Sequence, residues 1–185
     1  MNYLLPTSVE IDGVEYRIRS DYRAILDICT ALSDPDLEYW EKCYTACSIF
    51  YADDIPKDVK KAVEECFRFI NMGQEDTGRK KPVLMDWEQD LPFIIAPVNR
   101  VAGTEIRALE YLHWWTFLSY FYEIGGDCTF AQIVSVRSKL NKGTKLDKVD
   151  KEWLRDNPDL VRIKRKYSTS EKELLKQWGS GNGGQ

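Results

Sequence analysis

The sequence predicts a mainly α-helical, multi-helix globular domain that opens on a β-hairpin. Three observations predict it: alternation around Asp12-Gly13, a switch to helical spacing after Ser20, and helix-cap signals along the rest of the 185 residues. With 43% hydrophobic and 12% aromatic residues, the chain has enough apolar surface to offset the entropy of ordering it.

Val9, Ile11, Val14, Tyr16 and Ile18 alternate with polar residues on either side of Asp12-Gly13. A two-residue Asp-Gly loop favours a type I′ turn, because both central residues need positive φ. The implied register pairs Ile11 with Val14 and Val9 with Tyr16 on one side, and Glu10 with Glu15 on the other. A lone hairpin is marginal in water, so its apolar side is expected to rest on helices. Tyr22, Ile25, Leu26, Cys29 and Leu32 then give a first helix ending near Ser33. Asp34-Pro35-Asp36 reads as an N-cap, a first-turn proline and an acidic start for a second helix. Its apolar stripe is Leu37, Trp40, Tyr44, Cys47 and Tyr51. A third starts around Pro56, with Val59, Ala62, Val63, Cys66 and Ile70 on one face and Gly73 as its C′ residue.

Residues 73–85 read as a long connection, the expected mobile segment and proteolytic site. Asp86 to Asp90 begins helically, but Pro97 is expected to kink or end that helix. Thr104 to Glu123 is the longest helical pattern and stops at Gly125-Gly126. Thr129 with Gln132 predicts a capping box, with Phe130, Ile133, Val134 and Leu140 inward. Asp147 and Asn157 look like caps of two short helices, and Ser170 with Glu173 like a second capping box. The predicted organisation is one helical domain over residues 1–167, with the hairpin at about 7–19. A C-terminal helix over 168–178 and a disordered glycine-rich tail over 179–185 follow.

Composition narrows the function classes. No run of about 18 apolar residues exists, which argues against a membrane span, and the first residues lack the pattern of a secretory signal. Five cysteines without regular spacing read as reduced thiols in a cytosolic protein. Residues 1–136 hold 13 basic and 23 acidic side chains, whereas residues 137–185 hold 13 basic and 7 acidic, so nets of −10 and +6 meet in one chain. An acidic partner, another copy of the chain, or merely solvated helix faces would each account for that division. Pairing between copies would be head to tail and would loosen as salt rises. Acidic residues interleaved in the basic part argue against a nucleic-acid arm.

Catalytic constellations are not found. His113 is the sole histidine, so any Ser–His or Cys–His pair depends on it, and it reads as a packed imidazole in mid-helix. Cys43 and Cys47 would share a helix face as two zinc ligands can, but further ligands at zinc spacing are missing. They read as buried small hydrophobes. No glycine-rich phosphate loop lies between a strand and a helix, so no cofactor is expected.

Aromatic density around 104–123 is the remaining signal. Tyr111, Trp114, Trp115, Phe117, Tyr120 and Phe121 fall at almost every angle of a helix rather than on one stripe. Such an element is either enclosed in the core or engaged with a partner, and these six are the candidate partner-binding residues. Trp114 and Trp115 point about 100° apart, so one is expected to be structural and the other partly exposed.

Three stretches in order carry a resemblance: Asp86-Trp87-Glu88-Gln89-Asp90, Leu112-His113-Trp114-Trp115-Thr116-Phe117 and Ile133-Val134-Ser135-Val136-Arg137. Over roughly residues 4–167 the chain resembles the tail assembly chaperone-like proteins of tailed siphovirus phages of Gram-positive hosts. The chain departs from that pattern at Pro97, where the family continues a helix, and in residues 168–185. The resemblance implies a non-enzymatic chaperone in the host bacterial cytoplasm, absent from the mature virion. Its expected partners are the helical tape measure protein as client, other copies of itself and the tail tube protein, with no nucleic acid or membrane. A structural tail or connector subunit retained in the virion, and an enzyme with a site not visible in the sequence, are the alternatives.

Overall fold

The computed structural model describes residues 4–74 and 82–173. Strands β1 (Ser8–Ile11) and β2 (Val14–Arg17) pair antiparallel, with Val9 opposite Tyr16 and Ile11 opposite Val14. Asp12 and Gly13 take φ of 52° and 77°, the positive values a type I′ turn demands. Ile11 is buried, whereas its partner Val14 on the other side of the turn is exposed. Helix α1 (Tyr22–Leu32) follows, with Asp21 as N-cap and Ser33 as C-cap. Ile18 pairs with Tyr51, and Arg19 donates to the carbonyls of Ser48, Ile49 and Tyr51. A cation thus satisfies the C-terminal carbonyls of α2 (Tyr39–Phe50) and fixes the hairpin to that helix.

Helix α2 differs from expectation in its start and its face. Its N-cap is Glu38, joined to Glu41 in a capping box, so Asp34-Pro35-Asp36 is a turn outside the helix. Cys43, Ala46, Cys47 and Phe50 face the core, and Trp40 and Tyr44 face outward. The buried set spaces i, i+3, i+4, i+7, and its small residues let neighbouring helices approach closely. Helix α3 (Val59–Ile70) starts at Asp58 and buries Ala62, Cys66 and Phe69. It ends in a Schellman motif: Gly73 N–H donates to Arg68 and Met72 N–H to Phe69. Met72, at φ 57°, therefore occupies C′ and Gly73 the position beyond it.

Helix α4 (Trp87–Ala102) runs unbroken through Pro92 and Pro97, contrary to the expected break. Each proline removes one helical bond at a cost near 3 kcal/mol. The Asp86 cap, the left-handed Gly103 at φ 70° and burial of Ile94, Ile95, Pro97 and Val98 oppose that cost. The expected long helix over 104–123 is also corrected. A 3-10 turn spans Ile106–Ala108, residues 109–113 are not helical, and α5 is only Trp114–Tyr122. Helix α6 (Thr129–Asn141) is capped by Cys128 rather than Thr129. It buries Phe130, Ile133, Val136 and Arg137, leaving Leu140 exposed. Helices α7 (Lys148–Asp156) and α8 (Pro158–Val161) begin after Asp147 and Asn157 as expected.

Helical backbone resumes at 169–173, where Ser168 and Glu171 form the reciprocal cap read from sequence at Ser170 and Glu173. The remainder of that expected helix, the glycine-rich tail and the middle of the 73–85 connection lie outside the described residues. No helix among the described residues is long and apolar enough to cross a membrane.

At the junction of α4, α6 and α8 lies a buried ion pair. Arg137 meets the Asp90 carboxylate at 2.6 and 3.0 Å, and its remaining N–H groups donate to the carbonyls of Leu84, Leu160 and Val161. Asp90→Asn removes the counter-ion and is expected to cost about 3–5 kcal/mol. Arg137→Met also orphans three carbonyls and should cost more. Urea denaturation of both single variants and the double variant should show coupling above about 1 kcal/mol; strictly additive losses would contradict this description.

Candidate binding groove

Ser20–Tyr22 holds the segment before α5 extended. Trp114 N–H donates to the Ser20 carbonyl at 2.7 Å and Tyr22 N–H to that of Leu112 at 2.9 Å. The Asp21 carboxylate accepts from both Arg23 N–H and Leu112 N–H. Tyr111 is exposed, with its hydroxyl 2.7 Å from Ser20 Oγ. Arg23 reaches the Leu109 carbonyl at 2.6 Å.

His113 is thereby placed at the N-cap of α5 rather than in mid-helix. Its Nδ1 accepts from Trp115 N–H at 3.0 Å, which puts the proton on Nε2, 2.9 Å from the Pro6 carbonyl. Both ring nitrogens are committed to backbone groups of a buried imidazole. Burial holds its pKa below the ordinary 6.5, although the Pro6 contact works in the opposite direction.

The two tryptophans finish α3. Trp115 Nε1 donates to the Phe69 carbonyl at 2.8 Å and Trp114 Nε1 to that of Ile70 at 2.9 Å. The indoles thus satisfy the Ile70 carbonyl at the helix end and add a second donor to the Phe69 carbonyl, which already accepts from Met72 N–H. Trp114 is enclosed, stacked on Phe117 at 5.5 Å and edge-on to Trp87 at 5.8 Å. Phe117 is also fully buried, so neither presents a face to a partner in this conformation. Tyr120 and Phe121 are half-buried and pack on the same core. Of the six, Tyr111 lines a hollow beside Ser20, Arg23 and Asp27, and Trp115 lines a groove against α3 and the hairpin.

That groove, of about 310 Å³, is walled by Pro6, Val9, Phe69, Gly73 and Trp115, with Glu65 and Arg68 at its rim. The Trp115 ring stacks on Phe69 at 5.6 Å and meets His113 edge-on at 5.9 Å. An apolar floor with one ion pair at the edge suits an apolar side chain from an amphipathic helix. A larger cavity of about 600 Å³ lies between the 34–36 turn, the start of α4 and residues 164–172. Asp34, Asp36, Glu88, Lys164 and Lys172 line it together with Pro35 and Tyr167, so charges of both signs surround an apolar patch there. Sequence reasoning missed Pro6, Phe69 and Gly73. Val9, read as an inward hairpin residue, was the signal that this surface meets helices.

A family model described as Bacteriophage Gp15 protein matches residues 1–169. The chain belongs to this bacteriophage family. No curated protein and no solved structure gives a significant match. In this Gp15-family chain the three stretches that carried the resemblance make tertiary contacts. Asp86–Asp90 and Ile133–Arg137 supply the buried ion pair, and Leu112–Phe117 supplies the groove and its supports. Cys43, Cys47 and Cys66 are buried, and desolvation pushes the Cys47 thiol up to about 11. No cluster of three metal-ligating side chains exists among the described residues.

Trp114→Ala should destabilise by roughly 3–5 kcal/mol through a cavity, and Trp115→Ala by less, because part of its ring is already exposed. Equal losses in denaturant midpoint would refute the division. The lowered His113 pKa means the unfolded chain takes up a proton that the native state resists. Stability should therefore fall as pH drops below about 6.5 toward the native value. His113→Asn keeps a capping oxygen but not the titration, so the difference in melting temperature between variant and parent should shrink over that window. A pH-independent difference would contradict it.

Proposed function

We propose that the chain is a non-enzymatic tail assembly chaperone that keeps the tape measure protein soluble until tail tube subunits polymerise around it. Family membership supports a phage structural or assembly-related protein. The finer reading is carried by the Trp115 groove, an apolar slot mounted on a hydrogen-bonded support. It offers no deep enclosed cavity, which fits a client bound weakly at many points rather than tightly at one. A long helical client presents repeated apolar turns, so many shallow grooves gain affinity through effective concentration. Displacement by tube subunits is then feasible because each contact is weak. On this reading the protein acts in the host bacterial cytoplasm and leaves before the virion matures.

Co-expression with the tape measure protein tests the proposal. The client should be soluble and co-purify with the parent chain. Recovery should fall with Val9→Glu or Trp115→Ala variants whose helical circular dichroism is unchanged. An insoluble client, or a complex indifferent to both substitutions, overturns the groove as its site. Mass spectrometry of purified virions should find the chain absent; stoichiometric retention would instead make it a structural tail or connector subunit.

A further inference from the structure

Strand β1 keeps one edge open beside the Trp115 groove. Ile18 N–H donates to the Thr7 carbonyl, so Thr7–Ile18, Val9–Tyr16 and Ile11–Val14 are the hydrogen-bonded pairs of the hairpin. The N–H and C=O groups of Ser8 and Glu10 therefore point away from β2. The far side of β2 is already taken: the Arg17 carbonyl accepts from Ala52 N–H, and Arg19 N–H donates to the Phe50 carbonyl. Among the described residues nothing pairs with the outward backbone groups of Ser8 and Glu10. Such a row of open donors and acceptors is a template for another strand.

The side chains along this edge specify what the strand must carry. Val9 lines the groove with Pro6, Phe69 and Trp115, so a residue paired opposite Val9 projects into the same apolar slot. Glu10 projects to the other side, directly opposite Glu15, where like charges repel. Glu15 accepts from Ser8 Oγ, and neither carboxylate meets a cation within salt-bridge distance among the described residues. A lysine or arginine placed beside Glu10 relieves that repulsion. We infer that the outer edge of β1 takes a third strand from a partner protein: an extended segment in which apolar residues alternate with lysines or arginines, one apolar side chain seated in the Trp115 groove. Main-chain hydrogen bonds to Ser8 and Glu10 supply affinity, and the alternate side chains supply selectivity. A second copy of β1 does not fit, because Ser-Val-Glu-Ile brings another glutamate to an acidic edge. A helical client has no use for these backbone groups, so the inference goes beyond the chaperone reading and the two fail separately.

The acetylated and amidated peptide KVKLKVK tests it on the full chain, by titration calorimetry and amide hydrogen exchange. The Ser8 and Glu10 amides should exchange freely in the chain alone and become protected when the peptide is bound. N-methylation of either its lysines or its apolar residues, whichever set turns its amides to β1, should weaken binding roughly tenfold or more. Methylation of the other set should leave binding nearly unchanged. Glu10→Pro removes the outward N–H at an edge position that tolerates proline, so binding should be lost while circular dichroism is unchanged. Glu10→Lys keeps the backbone and should weaken KVKLKVK about fivefold while favouring the acidic counterpart EVELEVE. A peptide that binds equally well in both methylated forms overturns the proposal, as does one that binds without protecting Ser8 and Glu10. Absence of binding to the parent chain overturns it too. Protection that appears in the chain alone as its concentration rises would put a second copy on the edge, and also overturns it.

Discussion

Asp90 and Arg137 set the constraint to which the rest of the helical packing conforms. Two charges removed from water are costly unless every donor and acceptor is met, and here the guanidinium has a partner for each N–H group. Asp90 Oδ2 additionally accepts from Asp86 N–H, closing the first turn of α4. The pair can exist only if α4, α6, α8 and the stretch before α4 arrive together. It therefore selects one arrangement of helices more than it adds net stability. Gln89 extends the same junction: its amide donates to the Arg162 carbonyl and accepts from Lys164 N–H. Lys166 then reaches Glu88 and Ser33.

Several local features of this fold were legible in the sequence, although the caps read at Asp34, Thr129 and Ser170 lie at Glu38, Cys128 and Ser168. The hairpin register, the α1 limits and the caps at Asp147 and Asn157 each depend on residues a few positions apart. The stretch before α5 has apolar residues at helical spacing, yet its backbone groups are taken by Ser20, Asp21 and Tyr22 from the far end of the chain. Tertiary hydrogen bonds outcompeted a local pattern there. The α2 stripe failed in part, for a related reason: Cys47 and Tyr51 are buried as expected, whereas Trp40 and Tyr44 are not. Two sets of positions had helical spacing, and volume decided between them: cysteines and alanine fit between packed helices where Trp40 and Tyr44 do not. Pro97 was misread because burial of the surrounding helix outweighs a single lost bond.

The candidate site shows the same boundary. That Trp114 and Trp115 would divide between core and surface followed from their adjacency alone, since neighbours on a helix point in different directions. Which one would be enclosed depended on the position of α3, whose last carbonyls receive both indoles. His113 was visible as an isolated histidine, but its capping role required knowing that α5 begins at the next residue. Pro6 could not be placed at all, because it enters through a hydrogen bond to a ring 107 positions away.

The charge division that was plain in the sequence turns out to serve two distances from water. Arg137 with Asp90, and Lys166 with Asp86 and Glu88, join the basic end to the acidic body inside one copy. The first of these is desolvated on all sides. Exchanging its partner would expose an uncompensated charge in a medium of low dielectric, so it acts as a lock. Lys142, Lys145 and Lys151 lie in water, where an ion pair is worth little and salt screens it. Contacts made by such groups form and dissolve at small cost. The Arg137–Asp90 pair, by contrast, holds α4, α6 and α8 in one arrangement, because no other partner for either charge is within reach of the buried site.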